Sequence, residues 1–115
     1  VPVPLSVEEA VDPEEAFVAS LSSCHMLFFL HVARNAGLIV ERYEDHAVGT
    51  LAKDADGRMA MTEVVLRPAI EFVGRAPNAK TLAQLHHQAH EACFIANSVK
   101  TRVLVKESFS PERHG

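Results

Sequence analysis

Between residues 13 and 36 the apolar positions crowd around a helical axis instead of lining a single stripe. Phe17, Val18, Leu21, the run Met26 to Leu30 and Val32 fall on most sides of it. The segment Asp12-Pro13-Glu14-Glu15 supplies the start. Asp12 is a good N-cap, Pro13 suits the first helical position, and Glu15 sits three residues on, as in a capping box. Gly37 supplies a left-handed stop, so a helix is predicted from Pro13 to about Ala36. A helix apolar on most sides must be buried on most sides, by a sheet, a second helix or another subunit.

From Leu38 to Gly74 the period changes to two. Thr62 to Phe72 places Val64, Leu66, Ile70 and Phe72 on one face and Glu63, Arg67 and Glu71 on the other. This is the pattern of a half-buried strand, with Pro68 marking an edge or a bulge. Val40 to Ala52 reads as its hairpin partner, joined through the turn Asp54-Ala55-Asp56-Gly57. Pro77-Asn78 opens a second helix in which Leu82, Leu85, Ala89 and Ala92 or Cys93 recur three or four apart, and Thr101 to Phe109 alternates again as a last strand before a polar tail from Pro111. The expected architecture is α+β, an antiparallel sheet packed with two helices. So small a sheet cannot cover the first helix on all sides, and an obligate homodimer is the simplest remedy.

Composition narrows the class. A chain of 115 residues, 48% apolar and 23% charged, fits one globular domain spanning 1–115. A net charge of −4 argues against a nucleic-acid partner, which wants a basic face. The longest uninterrupted apolar run, Met26 to Leu30, is too short to span a bilayer, so no membrane segment is expected. Two cysteines are too few for a secreted disulfide framework and no signal-peptide pattern opens the chain, so a cytoplasmic location is expected. The opening Val1-Pro2-Val3-Pro4, without Met and without structural preamble, reads as a chain with residues missing ahead of it.

The candidate chemistry lies with the two cysteines. Cys24 falls mid-helix in Ser20-Leu21-Ser22-Ser23-Cys24-His25, and Cys93 at the end of the second helix. One reading makes both of them small buried hydrophobes; the other makes them a redox pair. Cys24 is too far from its own helix N-terminus for the macrodipole to activate it, so a reactive thiolate there needs a cation or hydrogen-bond donor from elsewhere.

The string from Pro13 to Cys24 (Pro-Glu-Glu-Ala-Phe-Val-Ala-Ser-Leu-Ser-Ser-Cys) resembles the helix of the OsmC/Ohr family, the osmotically inducible and organic hydroperoxide resistance proteins. That family carries an Asn-Pro-Glu segment ten residues before a peroxidatic cysteine, and Glu14 stands ten residues before Cys24. Ala89 to Ser98 (Ala-His-Glu-Ala-Cys-Phe-Ile-Ala-Asn-Ser) resembles the family's second-cysteine segment, also followed by an Asn and a strand. The resemblance covers roughly Asp12 to Val105.

It implies an OsmC-like fold, an intertwined homodimer with the two cysteine-bearing helices at its centre, in which this chain lacks the N-terminal strands. It implies a thiol peroxidase that reduces organic hydroperoxides in defence against oxidative stress and needs no bound cofactor or metal. Cys24 would attack the peroxide and become a sulfenic acid, Cys93 would condense with it to a disulfide, and an external dithiol, a lipoylated protein in parts of the family, would restore both. Organic hydroperoxide resistance enzymes pair the motif's glutamate with an arginine from an N-terminal segment. Glu14 is the matching acid, but no Lys or Arg precedes Arg34, so that arginine belongs to a missing segment or Cys24 is activated differently. Phe94 stands where many relatives have Pro. Ser22 and Ser23 read as small residues for close helix packing, and His25 as a packed or solvent-edge histidine.

Two rival readings remain. His86, His90 and Cys93 share a helical face at steps of four and three, with His87 beside them, and Cys24 could complete a tetrahedral zinc site. Alternatively the domain keeps the fold without turnover and binds a small apolar ligand. The peroxidase reading makes a geometric demand: the two sulfurs must lie close, which requires the second helix to end against the middle of the first. Glu14, about 15 Å back along the helix, would reach Cys24 only through a bridging cation.

Overall fold

The structure, a computed structural model, describes residues 12–106. The opening Val1-Pro2-Val3-Pro4, the end of the last expected strand at Phe109 and the tail from Pro111 lie outside these residues. The order is helix α1 (Pro13–Asn35), strands β1 (Val40–Asp45), β2 (Val48–Lys53), β3 (Met59–Leu66) and β4 (Pro68–Phe72), helix α2 (Ala79–Ala92), a 3-10 turn (Ala96–Ser98) and strand β5 (Arg102–Val105).

Both ends of α1 follow from local chemistry. The Asp12 carboxylate accepts from the Glu15 amide at 2.7 Å, and Pro13 occupies the first turn. At the other end Gly37 adopts φ 81°, and its amide donates to Arg34 O at 2.9 Å while Leu38 N donates to Ala33 O at 2.9 Å. This pair of bonds is a Schellman stop, and the following Leu38 packs back onto the core that contains Ala33. Asn78 caps α2 in the same way as Asp12 caps α1, accepting from Thr81 N at 2.8 Å.

The expected hairpin forms but is split between two sheets. β1 pairs antiparallel with β4, and β2 antiparallel with β3. The break falls at Asp45–Ala47 opposite Arg67–Pro68. Pro68 has no amide to give to the ladder, and the Arg67 amide donates at 2.6 Å to the Asp45 side chain. The same Asp45 carboxylate accepts a hydrogen bond from Ser22 Oγ, so α1 is tied to the point where the strands change sheet. Ser22 therefore does more than allow close packing.

A second departure concerns strand direction. β5 runs parallel to β3, with Glu63 opposite Arg102 and Leu66 opposite Val105, so the three-stranded sheet β2-β3-β5 is mixed and not purely antiparallel. The chain between these strands includes β4 and the whole of α2, a connection long enough for the crossover a parallel pair requires.

Each sheet has its own core, and α1 serves both. Its C-terminal half contributes Phe29 and Ala33 to a cluster with Leu85 and Ala89 of α2, against Tyr43, Ile70 and Phe72. Its N-terminal half contributes Leu21 to a cluster with Val64 and Leu66, against Val18, Val103 and Val105. Gly49 lets β2 approach the helix: a Cβ there would stand 2.6 Å from both Val18 Cγ2 and Met61 Cε.

The 23 residues of α1 are, by length and composition, long and apolar enough to cross a membrane, which the short run Met26 to Leu30 had concealed. Counting only unbroken apolar residues misses a segment whose interruptions are mostly small or uncharged. Here the helix is the spine of a two-sheet fold.

Candidate functional site

The buried stripe of α1 is Leu21, His25, Phe29 and Ala33, one residue per turn. Cys24 precedes His25 in sequence and so is turned about 100° from that stripe. It is half-buried and opens into an apolar groove of about 680 Å³ lined by Ser20, Ser23, Leu27, Phe28 and His31 of α1 and by Phe94. Leu27 is 60% and Phe94 70% exposed. Phe94 meets Phe28 edge-on with ring centroids 5.0 Å apart, so it roofs one side of the groove beside Cys24.

Cys93 reaches Cys24 from the end of α2. It is the C-cap residue of that helix, with extended backbone (φ −68°, ψ 113°), and is 1% exposed. The segment after it is pinned: Asn97 N donates to Cys93 O at 3.1 Å, Asn97 Nδ2 to Glu91 O at 3.1 Å, and Ser98 Oγ to Phe94 O at 2.7 Å. The Cys93 side chain lies beside that of Cys24, and both are free thiols. Burial pushes the Cys93 thiol up from its ordinary value, and so does the neighbouring Cys24; the amides of Ala96 and Ile95 act the other way. A partly exposed thiol is thus paired with a buried one whose burial favours the neutral form.

Glu14 does not share this groove. It is exposed in the first turn of α1 and lines a separate recess with Glu15, Ser22, Asp45 and Gly49. Among the described residues it makes no ion pair, and none of those lining the groove at Cys24 is Lys or Arg.

The three histidines and the cysteine of α2 and its C-cap do not converge. His87 is exposed and pairs with Glu91 at 3.2 Å. His86 turns inward, 3% exposed, and its Nδ1 lies 2.9 Å from Nε2 of His25, itself 1% exposed. Among the described residues no group of three or more His, Cys, Asp or Glu side chains is placed to hold a metal ion. The buried histidine pair escaped the sequence reading. Its signal was a polar residue in a stripe of otherwise apolar positions, and only the crossing of the two helices supplies the partner.

The chain matches the family model for OsmC-like protein over residues 6–108. No curated protein matches it. Among solved structures it is similar to an OsmC-like protein of unknown function from Vibrio cholerae, with 56% identity and a TM-score of 0.85 over 94% of this chain and 71% of that one. It is also similar to an organic hydroperoxide resistance protein from Legionella pneumophila, with 26% identity and a TM-score of 0.68 over 94% and 76% of the two chains. The fold extends to the organic hydroperoxide resistance protein OhrB of Bacillus subtilis, with 23% identity and a TM-score of 0.70 over 91% and 74%. With the family match spanning nearly the whole chain and the fold in agreement with it, this protein belongs to the OsmC-like family.

Proposed function

We propose that the protein reduces organic hydroperoxides with Cys24 as the attacking thiol and Cys93 as the resolving one. The observation that carries this reading is the asymmetry of the pair: Cys24 opens to an apolar groove, while Cys93 is buried beside it with its thiol pushed up by that burial. In the first step the Cys24 thiolate attacks the terminal oxygen of R–O–O–H. A sulfur–oxygen bond forms, the O–O bond breaks, and the alkoxide leaves as an alcohol after taking a proton; Cys24 becomes a sulfenic acid. In the second, Cys93 attacks that sulfur, the S–S bond forms and the S–O bond breaks. Water departs with the proton Cys93 gives up. A soluble or protein-bound dithiol, a lipoylated protein being one such class, then reduces the disulfide by two exchange steps and is itself oxidised.

Leu27, Phe28 and Phe94 favour an alkyl or aryl R group over hydrogen peroxide, since burying apolar surface contributes about 25 cal/mol per Å². Glu14 is assigned the family's motif position; in its recess it acts only by holding a cation that reaches toward Cys24, from a segment preceding α1 or from a second copy of the chain. The homodimer belongs to the same proposal. That no Lys or Arg stands among the described residues lining the groove favours one rival, an OsmC-like domain that binds a small apolar ligand at Cys24 without turnover.

Substitution separates the roles. Cys24→Ser should reduce hydroperoxide consumption to background. Cys93→Ser should permit a single turnover and leave a sulfenic acid on Cys24 that a dimedone probe traps. Equal multi-turnover rates in the two variants would overturn the assignment, and an unreactive wild-type pair that still binds the hydroperoxide's alcohol would favour the ligand-binding reading.

A further inference from the structure

The groove leaves unused the most deeply buried polar side chains among the described residues, the pair His25 and His86. The rings are nearly parallel (8°), with centroids 5.2 Å apart, and are joined by the single 2.9 Å contact between Nε2 of His25 and Nδ1 of His86. Phe29 closes one side, 4.4 Å from the His86 ring centroid. His25 Nδ1 and His86 Nε2 are buried with no hydrogen-bond partner. A neutral imidazole has one N–H and one lone pair. Whichever ring donates in the contact, one N–H and one lone pair are therefore left over inside the protein. Two apolar side chains would fill this space without that desolvation cost. What they would not supply is a directional link between the helices.

The position of the link gives it a consequence. His25 adjoins Cys24 in α1, and His86 lies on the inward face of α2 two turns before Cys93. Among the described residues this is the one hydrogen bond between the two helices themselves; the cysteine pair lies one residue past the end of α2. Apolar packing of Leu21, Phe29, Leu85 and Ala89 tolerates small rotations and slides of one helix on the other, whereas a hydrogen bond of this length does not. A rotation of α1 by a fraction of a turn would swing Cys24 away from Cys93.

We infer that His25 and His86 are positioning residues: their hydrogen bond fixes the rotation and register of α1 on α2 and so holds the Cys24 sulfur within bonding reach of Cys93. The pair acts as a neutral unit, since burial lowers both rings, His25 to about 4 with His90 nearby as a second cause, and His86 to about 3 with His25 as a second cause. At neutral pH neither ring brings a charge to the thiols, and its contribution is geometric. This inference rests on the dithiol chemistry proposed above, but it is tested without hydroperoxide.

The measurement is the equilibrium of the Cys24–Cys93 disulfide against reduced and oxidised dithiothreitol at pH 7.5, read by thiol alkylation and mass spectrometry. His25→Phe keeps the shape and removes the bond. It should lower the equilibrium constant for ring closure by about tenfold, equivalent to a reduction potential about 30 mV less negative, with far-UV circular dichroism unchanged. His25→Gln, whose amide can occupy the place of Nε2, should return the potential most of the way to wild type, a rescue that loss of packing alone does not produce. The double variant His25→Phe/His86→Leu leaves no orphaned nitrogen and should show the same shift as the single one. A folded variant of either apolar kind with the wild-type potential would overturn the inference. So would failure of both to fold, which assigns the pair to stability alone, or absence of a Cys24–Cys93 disulfide in the wild type. If the shift is seen while the wild type consumes no hydroperoxide, the peroxidase reading fails and the positioning role stands.

Discussion

At the scale of single residues, the placement of the two cysteines was legible and that of the histidines was not. Cys24 and Cys93 stand out because each sits in a motif of recognisable spacing. The helix period and capping signals place one mid-helix and the other at a helix end. His25 reads from sequence as one more residue of a helix that is apolar nearly all round, and His86 as part of a metal-like face. Which ring meets which is decided by the crossing of α1 and α2, a long-range fact with no local trace. The pair leaves a measurable mark on stability. Both rings have folded-state values, about 4 and about 3, below the ordinary histidine value of 6.5. The unfolded chain therefore binds more protons than the folded one as pH falls below 6.5. Stability is fully present above that pH and is lost on acidification, by up to about 1.4 kcal/mol per pH unit for each histidine, until the folded-state values are reached. Urea unfolding between pH 7.5 and 4.5 should show this slope, and His25→Phe/His86→Leu should flatten it. An unchanged slope in the double variant would mean that other groups carry the acid sensitivity.

At the scale of elements, the caps, the helix ends and the hairpin turn were fixed by local chemistry and were read correctly. Asp12 and Asn78 cap, Gly37 stops, and Asp54 accepts from the amides of Asp56 and Arg58 at 2.8 and 3.0 Å while Gly57 turns at φ 80°. What the period-two pattern could not reveal was the division of one apparent hairpin into two sheets, because alternation continues through the bend. Pro68 was the visible clue. The Asp45 side chain that captures the Arg67 amide and Ser22 was not, since a carboxylate in a polar-looking segment carries no label. The parallel pairing of β5 with β3 was hidden for a related reason: the alternation of Thr101 to Val105 is the same whichever direction the neighbour runs. Gly49 tests how tightly β2 is seated on α1. Gly49→Ala drives a methyl group against Val18, and should destabilise the protein by about 1–3 kcal/mol, measured as a lower midpoint in urea at unchanged slope. A neutral substitution would show that helix and strand can part without cost.

At the scale of the whole molecule, the first helix presents apolar surface that the described residues leave uncovered. Leu27 and Phe94 remain exposed beside the groove, as do Ile39, Val48 and Leu51 elsewhere. The sequence raised the same mismatch through the apolar girdle of α1, but it could not say which faces the sheets would leave open. A homodimer is the expected remedy; light scattering at micromolar concentration should give twice the monomer mass, and Leu27→Glu should shift it toward monomer. A stable wild-type monomer would contradict this. The account's central claim is that Cys24 and Cys93 work as one redox unit, and it is tested most directly by adding less than one equivalent of an organic hydroperoxide to the reduced protein. Non-reducing peptide mass spectrometry then counts the bonds formed. The expected result is one Cys24–Cys93 disulfide for each hydroperoxide consumed, complete within seconds, with the corresponding alcohol as product. Hydroperoxide left intact, or oxidation that stops at Cys24 while Cys93 stays a free thiol, would contradict it.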